Sequence, residues 1–188
     1  MTAVPFLPGH ELSAAEYDAL PESHQRYELI DGVLRVSPSP TGRHQWVAGY
    51  LMAMLHDVAP EEYVVVQAVE VRLAERLRYI PDILAVTAEA YGRGDLAQYQ
   101  PRDVALAVEI VSESSRGLDG IRKPAHYAAA GIPCFWRIEV GPVLVIHHMV
   151  LGPTGEYQPA GSFSDRLRTE VPWPMDLDLS VLGRDRRT

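Results

Sequence analysis

Two stretches, "YIPDILAV" at residues 79–86 and "ALAVEIVS" at residues 105–112, constrain the fold more than anything else in the chain. Both are apolar and rich in β-branched residues, the pattern of strands covered on both faces. Each nevertheless carries one acid, Asp82 or Glu109. An ionised carboxylate in an apolar setting is costly unless something pairs it. If the two strands are neighbours with the acids at one level, the carboxylates raise one another's pKa and resist joint ionisation. Either a divalent cation relieves this, in which case hard oxygen ligands select magnesium, manganese or calcium over zinc, or each acid stands at a strand end beside an arginine such as Arg78 or Arg116. The two strands leave both readings open.

The surrounding sequence supplies elements to build around them. Ser13 followed by Glu16 is a capping-box pattern that opens a short helix to about Leu20. "RYELI" and "VLRVS" flank "DG", so residues 26–37 are expected as a hairpin. From about Gly42 to Val58, Val47, Leu51, Met54, Leu55 and Val58 recur at helical spacing. "EYVVVQAVEVRL" reads as one long strand that turns through "AERL" into the Asp82 strand, and Pro81 implies a strand edge or entrance. Residues 87–103 read as a loop with at most one helical turn. After the Glu109 strand come a linker "SESSRG" and a helix ending at Gly131, started near Lys123 or kinked there by Pro124. "PCFWRIEV" and "VLVIHHMV" form a further hairpin, "GEYQPAG" a turn with a short strand, and "VPWPMDLDLSVL" packs late hydrophobics. The expectation is an α/β (mixed α+β) fold, one mixed sheet flanked by helices. It comprises a helical lead-in over 1–25, a single domain over 26–182 and a frayed tail over 183–188.

Composition narrows the function classes. The chain has 188 residues, 47% hydrophobic, enough for one sizeable core. No apolar run approaches the roughly 18 residues that span a bilayer, and the start lacks an export signal. One cysteine, Cys134, allows no internal disulfide. A cytoplasmic protein with no membrane partner is expected. The net charge of -8 argues against a general nucleic-acid coat, but not against an enzyme that handles phosphates at a local site. P-loop, zincin and thiol-redox motifs are absent. His147 and His148 alternate on a strand, so they point to opposite faces and chelate one ion poorly.

"YELIDGVLRVSPSPTGRHQ", "IPDILAV" and "VEIVSESSRGLDGIRKPAHYAAAGIPCFW" follow one another over most of the chain. In that order and at those separations they resemble the bacterial Uma-two family of putative restriction endonucleases, within the PD-(D/E)XK nuclease superfamily. The resemblance implies a restriction-endonuclease-like fold and a Mg2+- or Mn2+-dependent endonuclease that hydrolyses phosphodiester bonds in DNA, with a homodimer as an option. Asp82 then matches the metal-binding aspartate and Glu109 the second acid, with the carbonyl of Ile110 as a further metal ligand. Glu28 matches the first acid. Where the superfamily's lysine would stand, two residues beyond Glu109, this chain has Val111. Lys123, on the following helix, is the position that substitutes in this family.

The residues speak to that substitution independently: the chain holds sixteen arginines and one lysine, Lys123. A compact ammonium can orient water in a tight site where a guanidinium is bulky, although a single lysine on a solvated helix is also ordinary. Asp119, Lys123 and Tyr127 fall at i, i+4 and i+8, one helical face. Asp119 is thereby a candidate to orient Lys123, Tyr127 a core aromatic with its hydroxyl at the site's rim, and His44 a candidate phosphate contact or proton shuttle, or a helix-start histidine with no role. Arg72, Arg76 and Arg78 flank the second hairpin, as a grip on DNA or as a solvated hairpin tip. Two rival functions stand beside the endonuclease: a catalytically silent nuclease-like module that binds nucleic acid or protein, and a small-nucleotide phosphodiesterase.

Overall fold

A computed structural model describes residues 11–20, 26–37, 39–94, 98–111 and 119–183, with the backbone alone at 119 and 120. The linker residues 112–118, Arg116 among them, and the tail beyond Gly183 lie outside the described residues, as does the side chain of Asp119. In chain order the elements are α1 (Ala14–Asp18), β1 (Arg26–Ile30), β2 (Val33–Ser37), α2 (Gly42–Val58), β3 (Tyr63–Gln67), β4 (Glu70–Ala74), β5 (Leu77–Tyr79) and β6 (Ile83–Thr87). There follow α3 (Ala88–Tyr91), β7 (Gln98–Tyr99), a 3-10 turn (Pro101–Asp103), β8 (Val104–Val111), α4 (Asp119–Ala129), β9 (Cys134–Glu139) and β10 (Val145–Leu151). β11 (Tyr157–Phe163), β12 (Arg166–Thr169), β13 (Met175–Asp178) and α5 (Ser180–Gly183) complete the chain.

Local chemistry accounts for the boundaries. Ser13 and Glu16 close the expected capping box on α1. The β1–β2 hairpin turns through Asp31 and Gly32 at φ 54° and 83°, the consecutive left-handed pair that an Asp-Gly turn supplies. Thr41 caps α2 by accepting from the His44 N–H at 3.2 Å.

The expectation of one sheet is corrected. A six-stranded sheet runs β11-β10-β9-β8-β6-β3, and a five-stranded sheet runs β2-β1-β5-β4-β7, with β12 and β13 pairing separately. The long strand expected in "EYVVVQAVEVRL" is in fact β3 and β4, in different sheets. Ala68 between them takes φ 53°, and its N–H donates to the Asp82 carbonyl at 3.2 Å. β-branched residues stand on both sides of that kink, so strand propensity alone does not reveal it. Pro81 likewise stands where the chain leaves β5 of one sheet for β6 of the other. The expected loop 87–103 holds α3, β7 and a 3-10 turn, and β11 is a full seven-residue strand. α4 starts at Asp119, ahead of Pro124, which is carried inside it.

One face of the six-stranded sheet packs Leu106, Val108, Ile110, Trp136 and Ile138 against Val47, Leu51 and Leu55 of α2 and against Leu167, Trp173 and Leu177 of the tail hairpin. The other face packs Leu84, Val86, Ala107 and Phe135 against Tyr127 of α4 and against Ile30, Val71 and Tyr79 of the five-stranded sheet. α1 closes a third cluster, Leu12 and Tyr17 on Leu29. All eight residues of β8 are buried, as its composition implies. Among the described residues, no helix is long and apolar enough to cross a membrane.

Candidate active site

β8 and β6 run antiparallel with Ile83 opposite Val108, and the Asp82 N–H donates to the Val108 carbonyl at 3.1 Å. The next step of that ladder sets Asp82 against Glu109. Leu84 and Ala107, each two residues from its acid, both lie in the core beneath α4. Two-residue alternation therefore directs both acids to that face.

A third carboxylate comes from the other sheet. Glu28 on β1 accepts from the Ile80 N–H at 3.1 Å and from the Lys123 ammonium at 2.9 Å. The same ammonium donates to Glu109 Oε1 at 3.1 Å, so it bridges the two glutamates. Tyr127, one helical turn on from Lys123, donates its hydroxyl to the same Glu109 oxygen at 2.7 Å. The Tyr79 ring lies 5.1 Å from the ammonium, and its hydroxyl meets His126 Nδ1 at 2.7 Å. Glu28, Asp82, Glu109 and Lys123 are all buried.

Asp82 is held differently. Its carboxylate accepts from the Ile110 N–H at 2.8 Å, from Arg26 at 3.0 Å, and faces His44 Nε2 at 3.1 Å. Arg26 also donates to the Ile80 carbonyl. The Ile80 peptide thus orients Arg26 and Glu28, two residues apart on β1. Thr41, Arg43, His44, Ile110 and Val140 line a cleft of about 190 Å³ beside it.

The electrostatics separate the two strand acids. Burial would raise Asp82, but the His44 contact, the Ile110 N–H and the Arg26 charge hold its pKa below the ordinary value. Glu109 goes the other way, pushed up to about 7 by burial, with the Asp82 and Glu28 charges adding to it and Lys123 only partly opposing. Burial pulls the Lys123 amine down, yet Glu109 and Glu28 outweigh it and raise its pKa above the ordinary lysine value. Lys123 is accordingly an ammonium, a donor and not a base. Burial and the adjacent Glu109 also raise the Tyr127 hydroxyl, so it stays protonated and donating.

The structure thus brings Glu28, Asp82, Glu109, Lys123, Tyr127, His44 and Ile110 together. It does not do so for the three hairpin arginines. Arg78 is 1% exposed, donates to Asp18 and at 3.4 Å to Glu70, and lies 4.8 Å over the Tyr17 ring. As a DNA contact it is corrected: its guanidinium fixes α1 to the five-stranded sheet. Arg72 stands opposite Arg78 in the β4–β5 ladder, and Arg76 is paired with Glu11 and the Asp31 carbonyl. His147 and His148 do face opposite ways, His148 buried against Cys134 Sγ at 3.2 Å and His147 on Ser162. Sequence reasoning missed Arg26, although its place two residues before Glu28 on one strand was a usable signal. It also missed Tyr79 and His126.

The donor set is all oxygen, and the mutual repulsion that lifts Glu109 is what a hard cation relieves. Asp82, Glu109 and the Ile110 carbonyl are chemically suited to such an ion. Among the described residues, however, no group of three or more His, Cys, Asp or Glu side chains is arranged to hold a metal, and the carboxylates are turned toward Arg26, His44 and Lys123.

Comparison with known proteins gives the fold and the family. The fold is similar to the crystal structure of a putative nuclease belonging to DUF820 from Anabaena variabilis ATCC 29413, with a TM-score of 0.71, 17% identity, and 92% of this chain and 97% of that one covered. Among curated proteins, none matches the chain. The sequence profile described as "Uma2: Putative restriction endonuclease" matches residues 14–181, a span that includes every residue of the acid cluster, and the chain belongs to that family.

Proposed function

We propose that the protein is a metal-dependent endonuclease that hydrolyses phosphodiester bonds in DNA at the Glu28–Asp82–Glu109–Lys123 cluster. The observation that carries this is the sharing of the chain's single lysine by two buried carboxylates from two sheets, Glu28 and Glu109, with a third buried acid, Asp82, at the level of Glu109 on the neighbouring strand. A purely structural role would need only one acid for one ammonium. Asp82, Glu109 and the Ile110 carbonyl would hold Mg2+ or Mn2+, which when bound polarises the scissile phosphate and lowers the pKa of a bound water.

The chain's own groups divide the remaining work. Lys123, as an ammonium, donates to the attacking water or to the phosphate, and fixes its position through two acids whose backbones are fixed in turn by strand ladders. Glu109, lifted to about 7 by burial and its neighbouring acids, would give up its proton as it takes up a cation. Arg26 and His44 shield the Asp82 charge and stand at the mouth of the site. Plasmid DNA incubated with Mg2+ or Mn2+ should be nicked and linearised, and a chelator should abolish this. Intact plasmid under all three conditions would remove the enzyme reading.

One observation favours a second reading, a nuclease-like domain that binds without turnover. Lys123 is already shared between Glu28 and Glu109, and Asp82 between Arg26 and His44, so each acid of the cluster has a partner without a cation. DNA binding with no cleavage in either metal would select it.

A further inference from the structure

A row of polar side chains crosses the six-stranded sheet at the level of Glu109 and has no role in the acid cluster. Glu109 of β8 pairs with Arg137 of β9, Arg137 with His147 of β10, and His147 with Ser162 of β11. Paired residues of neighbouring strands share a face. Phe135 and Met149, two residues from Arg137 and His147, both belong to the core beneath α4. The row therefore lies on the same face as the acids. Successive strands are about 4.8 Å apart, so Arg137 is one strand removed from Glu109.

The contacts within the row hold one group still. Ser162 Oγ meets His147 Nδ1 at 3.0 Å, His147 Nε2 lies 3.4 Å from Glu139 Oε1, and that oxygen accepts from a terminal nitrogen of Arg137 at 3.1 Å. Three strands thus fix the plane of the Arg137 guanidinium. Yet its Nε–H, which is buried, has no hydrogen-bond partner among the described residues. With that donor shut in and one terminal nitrogen clamped on Glu139, the side chain is still 30% exposed, so its remaining terminal nitrogen is left to take an acceptor, and a phosphate oxygen matches that donor geometry.

We infer that Arg137 is a phosphate-binding residue, held in place by Glu139, His147 and Ser162, that receives the DNA backbone beside the acid cluster. This rests on the endonuclease reading and adds the path of the substrate. The guanidinium leans toward Glu139, two residues further along β9, and not toward Glu109. It therefore addresses a phosphate flanking the one that is cut. The backbone would leave the acids across β9 toward β10 and β11.

The test is binding, measured with no cleavage possible. Affinity of a short fluorescent DNA duplex for the full chain is followed by anisotropy in chelator over a range of salt. Arg137→Ala should weaken binding several-fold on duplexes of unrelated sequence and reduce the salt slope by about one. Arg137→Lys should recover little, because a point charge cannot hold Glu139 and the phosphate along two edges. Arg168→Ala removes an equally charged but exposed arginine on the β12–β13 hairpin and should leave both quantities unchanged. Thermal melting of each variant confirms that it is folded. If Arg137→Ala binds like the parent, or loses no more than Arg168→Ala, the inference is overturned while the nuclease reading stands on its own cleavage assay. A parent that neither binds nor cleaves DNA overturns both.

Discussion

Glu109 and Lys123 are partners whose pKa values both move upward, which a simple ion pair would not do. An ammonium alone would lower a glutamate; here burial and two neighbouring acids exceed it. The consequence is a stability that depends on pH. In the native metal-free protein Glu109 keeps its proton up to about 7, whereas in the unfolded chain it loses it near 4.5. Between those values the native state binds more protons, so stability is fully present below about 4.5 and declines as pH rises through about 7. The loss is at most about 3 kcal/mol, at 1.36 kcal/mol per pKa unit. Melting temperature in chelator should fall over that window, and Glu109→Gln should flatten it; an equal decline in the variant would assign the effect elsewhere. Lys123→Ala should lower cleavage by about 10²-fold or more, with Lys123→Arg a poor rescue. On a solvated helix, the ordinary place for a lysine, this loss would leave the fold intact. The amine is in fact buried between two glutamates, so the Ala variant should also unfold at lower urea, and specific activity must be taken on the folded fraction. Full activity in either variant would remove Lys123 from the mechanism.

At the level of elements, the sequence was legible wherever one periodicity ran between strong punctuation. The "DG" hairpin, the α2 bounds at Gly42 and Val58, and the two buried strands with their acids all follow from local rules. What could not be read was set by distant partners. Ala68 breaks a strand because the Asp82 carbonyl receives its N–H, and nothing in "VVVQAVEV" announces that. Arg78 looked like a surface arginine because its partners, Asp18 and Glu70, come from separate elements. That burial changes the expected result of mutating the hairpin. On a solvated hairpin tip, Arg72, Arg76 and Arg78 could all be replaced without unfolding the domain. Arg78→Ala alone should instead cost about 3–5 kcal/mol, the scale of breaking a buried pair, because Glu70 loses its buried cation and the Tyr17 ring the guanidinium over it. Arg76→Ala, on a side chain about half exposed, should change the urea midpoint little. Equal midpoints for the two variants would mean that α1 is not fixed through Arg78.

On the scale of the whole molecule, the acid cluster depends on residues far from it in sequence. The face of the six-stranded sheet opposite the acids is covered by α2 together with the segment from Leu167 to Leu182. Leu167, Trp173, Met175, Leu177, Leu179 and Leu182 are all buried there. α2 is held between that tail and the sheet, and it carries His44 to Asp82. Six such side chains at about 1.5–3 kcal/mol each amount to roughly 10 kcal/mol or more of burial. That equals the whole stability of an ordinary domain, about 5–15 kcal/mol. A chain ended after Phe163 keeps every residue of the acid cluster and the complete six-stranded sheet, yet it should fail to fold. Its far-ultraviolet circular dichroism should lack a cooperative thermal transition, and DNA cleavage should be absent. A milder variant, Leu177→Ala, should fold, lose about 2–5 kcal/mol, and keep the activity of the parent well below its melting temperature. Cooperative melting and retained cleavage in the truncated chain would show that α2 and the sheet hold the site without the tail hairpin.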